Sequence, residues 1–175
     1  MTSLVITIIG PDRPGLVSAI SDKAAEFGAN WADSLMANLA GQFAGIVHLQ
    51  VPARNADFLI AALRGLESPG MHLTIAKGGE GPAANARRIK LDLVGQDQPG
   101  IIRNISNQLA KMGVSIQKLQ TQIRSGAMSG EQMFHMQSTL MVPASVDDEA
   151  LRDGLESLAN ELMVEIELDD SSANI

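Results

Sequence analysis

The chain repeats itself, and the repeat decides how its 175 residues can be organised. IIGPDRPGLVSAIS at 8–21 returns as LVGQDQPGIIRNIS at 93–106, a constant offset of 85. Gly10, Asp12, Pro14, Gly15, Ile20 and Ser21 recur as Gly95, Asp97, Pro99, Gly100, Ile105 and Ser106. The register runs on through Ala25, Phe27 and Gly28 to Ala110, Met112 and Gly113. Val51-Pro52 then answers to Val142-Pro143 at offset 91, so the second copy carries six extra residues, which we place in SGAMSGE at 125–131. A duplication of this length predicts two similar supersecondary units in tandem.

Each copy reads the same way. LVITII and RIKLDLV have the β-branched content and partial alternation of strands, and each ends at a glycine-containing turn. Leu16, Ile20, Ala24 and Phe27, and likewise Ile101, Ile105, Leu109 and Met112, then form one apolar helical stripe. Gly28 and Gly113 stand where the helix should end. Segments 29–39 with 43–52, and 114–124 with 131–142, read as paired strands. A second helix follows at 55–67, with Leu59, Leu63 and Leu66 inward, and at 146–160, with Leu151, Leu155 and Leu158 inward. The latter is opened by Ser145-x-x-Asp148, a variant of the capping box. Closing strands fall near 71–77 and 162–168. The order βαββαβ, twice, is an α+β architecture of two tandem ferredoxin-like domains. Domain 1 is expected over 1–77, a linker over 78–88, domain 2 over 89–168 and a tail over 169–175.

With no cysteine, disulfide frameworks, thiolate metal sites and cysteine nucleophiles are excluded. The N-terminus lacks a basic region and its apolar run is short, so neither a signal peptide nor a membrane span is expected, and a cytoplasmic protein is. The net charge of −7 is local: residues 147–170 hold 10 acids and one base, leaving 10 acids and 12 bases elsewhere. That segment is either a solvated helix face or an acidic docking surface for a basic partner.

Both copies set a G-x-D-x-P-G turn before a helix. Pro14 and Pro99 suit a first helical turn, where a missing N–H costs nothing. Gly15 and Gly100 allow close approach to the backbone. Amides at a helix start favour an anion such as a carboxylate, while Asp12 and Asp97 suit an ammonium group; together they fit a free amino acid. The plainer alternative is that each aspartate is simply an N-cap.

GPDRPGLVSAISDKAAEFGAN and GQDQPGIIRNISNQLAKMGVS resemble the opening of ACT domains, small regulatory modules that bind amino acids. The resemblance covers about 4–77 and 89–168, and a chain of two such modules is most similar to the glycine cleavage system transcriptional repressor family. It implies effector binding at interfaces between ACT units, glycine being one candidate, through the first strand–helix loop and the residue opening the second strand. Those positions are Asp12, Arg13, Gly15, Leu16 and Asn30, with Asp97, Gln98, Gly100, Ile101 and Ser115 in the second copy. Arg13 becomes Gln98 and Asn30 becomes Ser115, which suggests a stronger site in the first copy. Trp31 follows Asn30 and is expected to report on binding.

The resemblance also implies control of a DNA-binding transcription regulator by protein contact, without direct nucleic-acid contact. In agreement, there is no helix-turn-helix pattern, and four Phe and one Trp are few for stacking bases. Arg87, Arg88 and Lys90 read as a solvated strand end. The alternative is a detached regulatory subunit of a metabolic enzyme, because ACT domains with the GPDRPG turn resemble those fused to formyltetrahydrofolate hydrolases and phosphoserine phosphatases. Edge strands of the two sheets could pair within the chain or between chains, and a homodimer is expected.

Nothing points to catalysis, a cofactor or a metal. His48, His72 and His135 lack metal-site spacing, and Gly79-x-Gly81-x-x-Ala84 is interrupted by Pro82, with no apolar helix after it. Met128, Met133, Met136 and Met141 surround the second hairpin, as core filling or as an adaptable surface, and its Gly- and Ser-rich insertion is expected to be mobile.

Overall fold

The computed structural model describes residues 1–78, 86–126 and 130–170. The chain divides into two compact units, Met1–Gly81 and Pro82–Ile175. Most of the linker, the dinucleotide-like motif, the centre of the SGAMSGE insertion with Met128, and the end of the tail lie outside the described residues.

Unit 1 contains β1 (Thr2–Pro11), α1 (Leu16–Glu26), β2 (Asn30–Leu39), β3 (Gln42–Val51), α2 (Ala56–Arg64) and β4 (His72–Lys77). Unit 2 contains β5 (Arg87–Gln96), α3 (Ile101–Lys111), β6 (Ser115–Ser125), β7 (Gln132–Val142), α4 (Asp148–Leu162) and β8 (Val164–Asp170). The sheets are fully antiparallel, in the orders β2-β3-β1-β4 and β6-β7-β5-β8. This is the ferredoxin-like arrangement, twice.

Alternation along the strands sends one row of side chains toward the helices. In unit 1, Leu4, Ile6 and Ile8 of β1 and Val47, Leu49 and Val51 of β3 meet Leu16, Ile20 and Ala24 of α1 and Leu59 and Leu63 of α2. In unit 2, Leu91 and Leu93 meet Ile101, Ile105 and Leu109 of α3 and Leu151 and Leu155 of α4. Each such aliphatic side chain contributes about 1.5–3 kcal/mol when fully buried. The helical stripes are therefore as the periodicity predicts, with Phe27 and Met112 half-buried at their ends.

Both first helices stop at the expected glycine. Gly28 has φ 67° and Gly113 φ 73°. The next amide reaches back five residues, Ala29 N–H to the Ala24 carbonyl at 2.8 Å and Val114 N–H to the Leu109 carbonyl at 2.9 Å. That closure is a Schellman motif.

The duplication is faithful in detail. Each edge strand carries a bulge at the same place, between Trp31 and Asp33 and between Ile116 and Lys118. The offset of 85 thus continues through the second strand of each copy. The extra residues of unit 2 fall between β6 and β7.

Three local expectations change. The first helices begin at Leu16 and Ile101, so Pro14 and Pro99 precede the first helical turn. The first copy's second helix is shorter than 55–67: a 3-10 turn at Ala53–Asn55 leads into Ala56–Arg64. The cap of α4 is Asp147, whose carboxylate accepts the Ala150 N–H at 2.7 Å, and not Ser145. The Val146 N–H still donates to the Pro143 carbonyl at 3.0 Å, so Ser145 belongs to the turn before the helix. Helix α4 then runs to Leu162, and the closing strand starts at Val164.

Candidate functional site

The turn between β1 and α1 is Asp12-Arg13-Pro14-Gly15. Gly15 occupies the helix N-cap with φ 90° and Gly100 its counterpart with φ 100°, in the left-handed region. A side chain there strains the backbone by about 1–2 kcal/mol. No side chain caps either helix. The first-turn amides are left facing outward, at the positive end of the helix dipole, where an anion binds well. The aspartates are therefore not N-caps.

Instead Asp12 ties the turn to the sheet. Its N–H donates to the Gly41 carbonyl at 3.2 Å, and its carboxylate accepts a hydrogen bond from the side-chain amide of Asn38, on β2. Asp97 keeps the backbone bond, N–H to the Gln132 carbonyl at 2.8 Å. Its carboxylate has no partner among the described residues, because the position of Asn38 is taken by Ile123. The repeat does not mark Asn38, because the offset of 85 sets Ile123 in its place; only the strand pairing brings it to Asp12.

Arg13 and Gln98 turn the other way. The Arg13 guanidinium donates to Ser68 Oγ at 3.0 Å and lies 3.7 Å from Met71 Sδ. It walls a groove of about 340 Å³ with Pro14, Gly15, Leu16, Leu66 and Met71. Gln98 donates its amide to the Leu162 carbonyl at 2.6 Å, at the end of α4. The first copy thus presents a cation beside its free amides, and the second spends a neutral amide on a helix end. Leu16 and Ile101 are buried, so only their backbone faces the turn.

The remaining pair stands apart. β1 and β2 both run antiparallel to β3, with Asn30 and Ser3 opposite Gln50 while Asn38 and Gly10 lie opposite Phe43. At about 3.3 Å per residue, Asn30 is roughly 30 Å from Asp12, at the other end of the sheet. Ser115 is displaced from Asp97 in the same way, sharing Met141 as neighbour with Arg88. Trp31 is half-buried against the core beside Asn30, at the end of the sheet away from the turn of its own unit.

Elsewhere, His48 bonds to Ser3 Oγ at 2.6 Å, and among the described residues no group of three or more His, Asp or Glu stands together as metal ligands. Arg87 is paired with Asp148 at 2.7 Å. Met136 and Met141 are buried, so these two fill space beneath the second hairpin. The acidic side chains Asp153, Glu156, Glu161, Glu165 and Glu167 are exposed. Among the described residues no helix is long and apolar enough to cross a membrane.

The ACT-domain model matches residues 2–74, which hold the turn, both helices and all but the end of the sheet of unit 1. A Methanopyrus kandleri protein of the UPF0237 group is 41% identical over 64 residues, 37% of this chain and 69% of that protein. With the same topology repeated in unit 2, the chain belongs to the ACT-domain family, as two ACT domains in tandem. Its likeness to a further relative extends along most of its length. It is 27% identical over 164 residues to the glycine cleavage system transcriptional repressor of Escherichia coli, covering 91% of this chain and 85% of the repressor. Among solved structures, a Galdieria sulphuraria protein of unknown role superposes with TM-score 0.84 at 29% identity, over 97% of this chain and 98% of that one.

Proposed function

We propose that the protein is a non-catalytic, cytoplasmic regulator that binds a small amino acid, glycine first among the candidates, and acts as a homodimer on a DNA-binding transcription regulator through protein contact. The observation that carries this is the similarity to the glycine cleavage repressor along 91% of the chain. It is joined by a turn whose chemistry suits a zwitterion.

In this reading the effector's carboxylate meets the first-turn amides of α1 and the Arg13 guanidinium, and its ammonium group meets Asp12, whose carboxylate Asn38 holds in place. Gly15 and Leu16 contribute backbone. Gly100, Ile101 and Asp97 form the weaker counterpart, lacking Asn38 and with Gln98 in place of Arg13. Asn30 and Ser115 lie at the far ends of their own sheets, so neither reaches an effector held at the turn of its own unit. Binding shifts the population between states of the protein that differ in affinity for the amino acid.

A thermal-shift screen against the twenty amino acids tests the effector, since a ligand bound only by the native state raises apparent stability. Stabilisation by one small amino acid, lost in Asp12→Ala, is expected; a flat screen confirmed by absent calorimetric heat removes the effector. Capture of partners from a lysate tests the rest. A transcription regulator held by wild type and released by charge reversal at Asp153 and Glu156 supports the reading and the acidic face together. A metabolic enzyme in its place makes the protein a detached regulatory subunit.

A further inference from the structure

The two copies share a fold, yet the faces their sheets turn away from the helices are opposite in character. In unit 1 the outward row runs Leu35, Ile46 and Thr7 across three strands, then Ala37, Ala44 and Ile9, with Leu39 at the end. Leu35, Ile9 and Ile46 are each about half exposed and Leu39 is 80% exposed. Asp33 is the one carboxylate on this face among the described residues. The same lattice points in unit 2 are Gln120, Gln137 and Asp92, then Gln122, His135 and Val94, with Arg124 at the end. Lys90 and Lys118 replace Val5 and Asp33, and Glu165 and Glu167 lie alongside on β8.

Unit 2 therefore serves as an internal control. An ACT sheet left to water in this chain is dressed in charge and amide, so the fold itself does not call for apolar residues there. Exposed leucine and isoleucine side chains standing together on adjacent strands mark a surface that is covered in the working protein.

We infer that the outer sheet face of unit 1 is the homodimer interface, packed against the same face of a second copy. This locates the dimer of the preceding section and does not depend on the effector. Two features favour a second copy over another partner. Among the described residues the face carries one carboxylate and no lysine or arginine, so two-fold pairing meets Ile9, Leu35, Leu39 and Ile46 with the same residues and leaves Asp33, on the edge strand, and the polar side chains of Gln42, His48, Gln50 and His72 to be accommodated. Its size also suffices: four strands spaced about 4.8 Å, three of them about 33 Å long and β4 about 20 Å, give a face of roughly 570 Å², so two copies bury on the order of 1,100 Å², above the roughly 1,000 Å² that a specific interface needs. Stacked sheets of this kind align within about 30° of each other and interlock large and small side chains, as the alternation of Leu35, Ala37 and Leu39 allows.

Sedimentation velocity on the full chain tests the inference. Wild type is expected to be a dimer, and Leu35→Glu or Ile46→Glu to weaken it by on the order of 100-fold, because each places like charges opposite one another. Gln120→Glu and Gln137→Glu, at the same lattice points of unit 2, are expected to remain dimeric. Circular dichroism on each variant confirms the fold, which these half-exposed positions do not support. A monomeric wild type overturns both the dimer and its interface. A dimer indifferent to Leu35→Glu and Ile46→Glu overturns the interface alone.

Discussion

The side-chain amide of Asn38 donates to the carboxylate of Asp12, joining the end of β2 to the turn before α1 across 26 positions of sequence. Unit 2 has no such link, for Ile123 stands where Asn38 does. A carboxylate oriented by an amide is held ready for a cation, whereas Asp97 must be ordered at the time of binding, at a cost in conformational entropy.

This difference predicts unequal effector sites. Asp12→Ala is expected to lower amino-acid affinity by roughly 10- to 100-fold, the worth of a charge-assisted hydrogen bond. Asn38→Ile, which gives the first copy the second's residue at that position, should show part of that loss, and Asp97→Ala little. Isothermal titration calorimetry checks the order; Asp97→Ala exceeding Asp12→Ala reverses it.

The turn glycines are required by backbone conformation and not by crowding. A Cβ at Gly15 would meet nothing within 4 Å, yet its φ is 90°. Gly15→Ala and Gly100→Ala should each cost about 1–2 kcal/mol in urea unfolding. Gly95→Ala should cost more for the opposite reason, since its Cβ would drive into Val164 Cγ1 on β8. Equal losses at all three would refute the distinction.

For α4, Asp147→Ala removes the cap that accepts the Ala150 N–H and should destabilise unit 2 by about 1 kcal/mol. Ser145→Ala, at the residue the capping-box pattern points to, should leave stability unchanged within error. Paired denaturation curves decide between the two residues.

Ser138 is 6% exposed, and its hydroxyl has no hydrogen-bond partner among the described residues. The equivalent residue of unit 1 is Val47, fully buried in the core. A buried hydroxyl left unpaired costs about 1–3 kcal/mol. Ser138→Val should therefore raise stability, by roughly 1–2 kcal/mol after repacking, read as a higher midpoint in the same curves; a lower midpoint would show that the hydroxyl is satisfied.

Much of this protein is written locally in its sequence. The repeat, the order of elements, the stripes Leu16-Ile20-Ala24 and Ile101-Ile105-Leu109, and the terminating Gly28 and Gly113 depend on a chain's own periodicity and on which residues tolerate φ above zero. A reader of the sequence has those terms in full. The tertiary structure decided what no local pattern carries. Strand direction sent Asn30 to the end of the sheet away from Asp12 and brought Asn38 to it instead. Packing gave Gln98 to the end of α4 and Arg13 to Ser68 and Met71. Alternation along β1 and β3 marks two faces, but only the placement of α1 and α2 shows which is buried and which is left bare. Contacts between residues far apart in sequence exist once the chain has closed its long loops, and so the site and the open face become legible only in three dimensions.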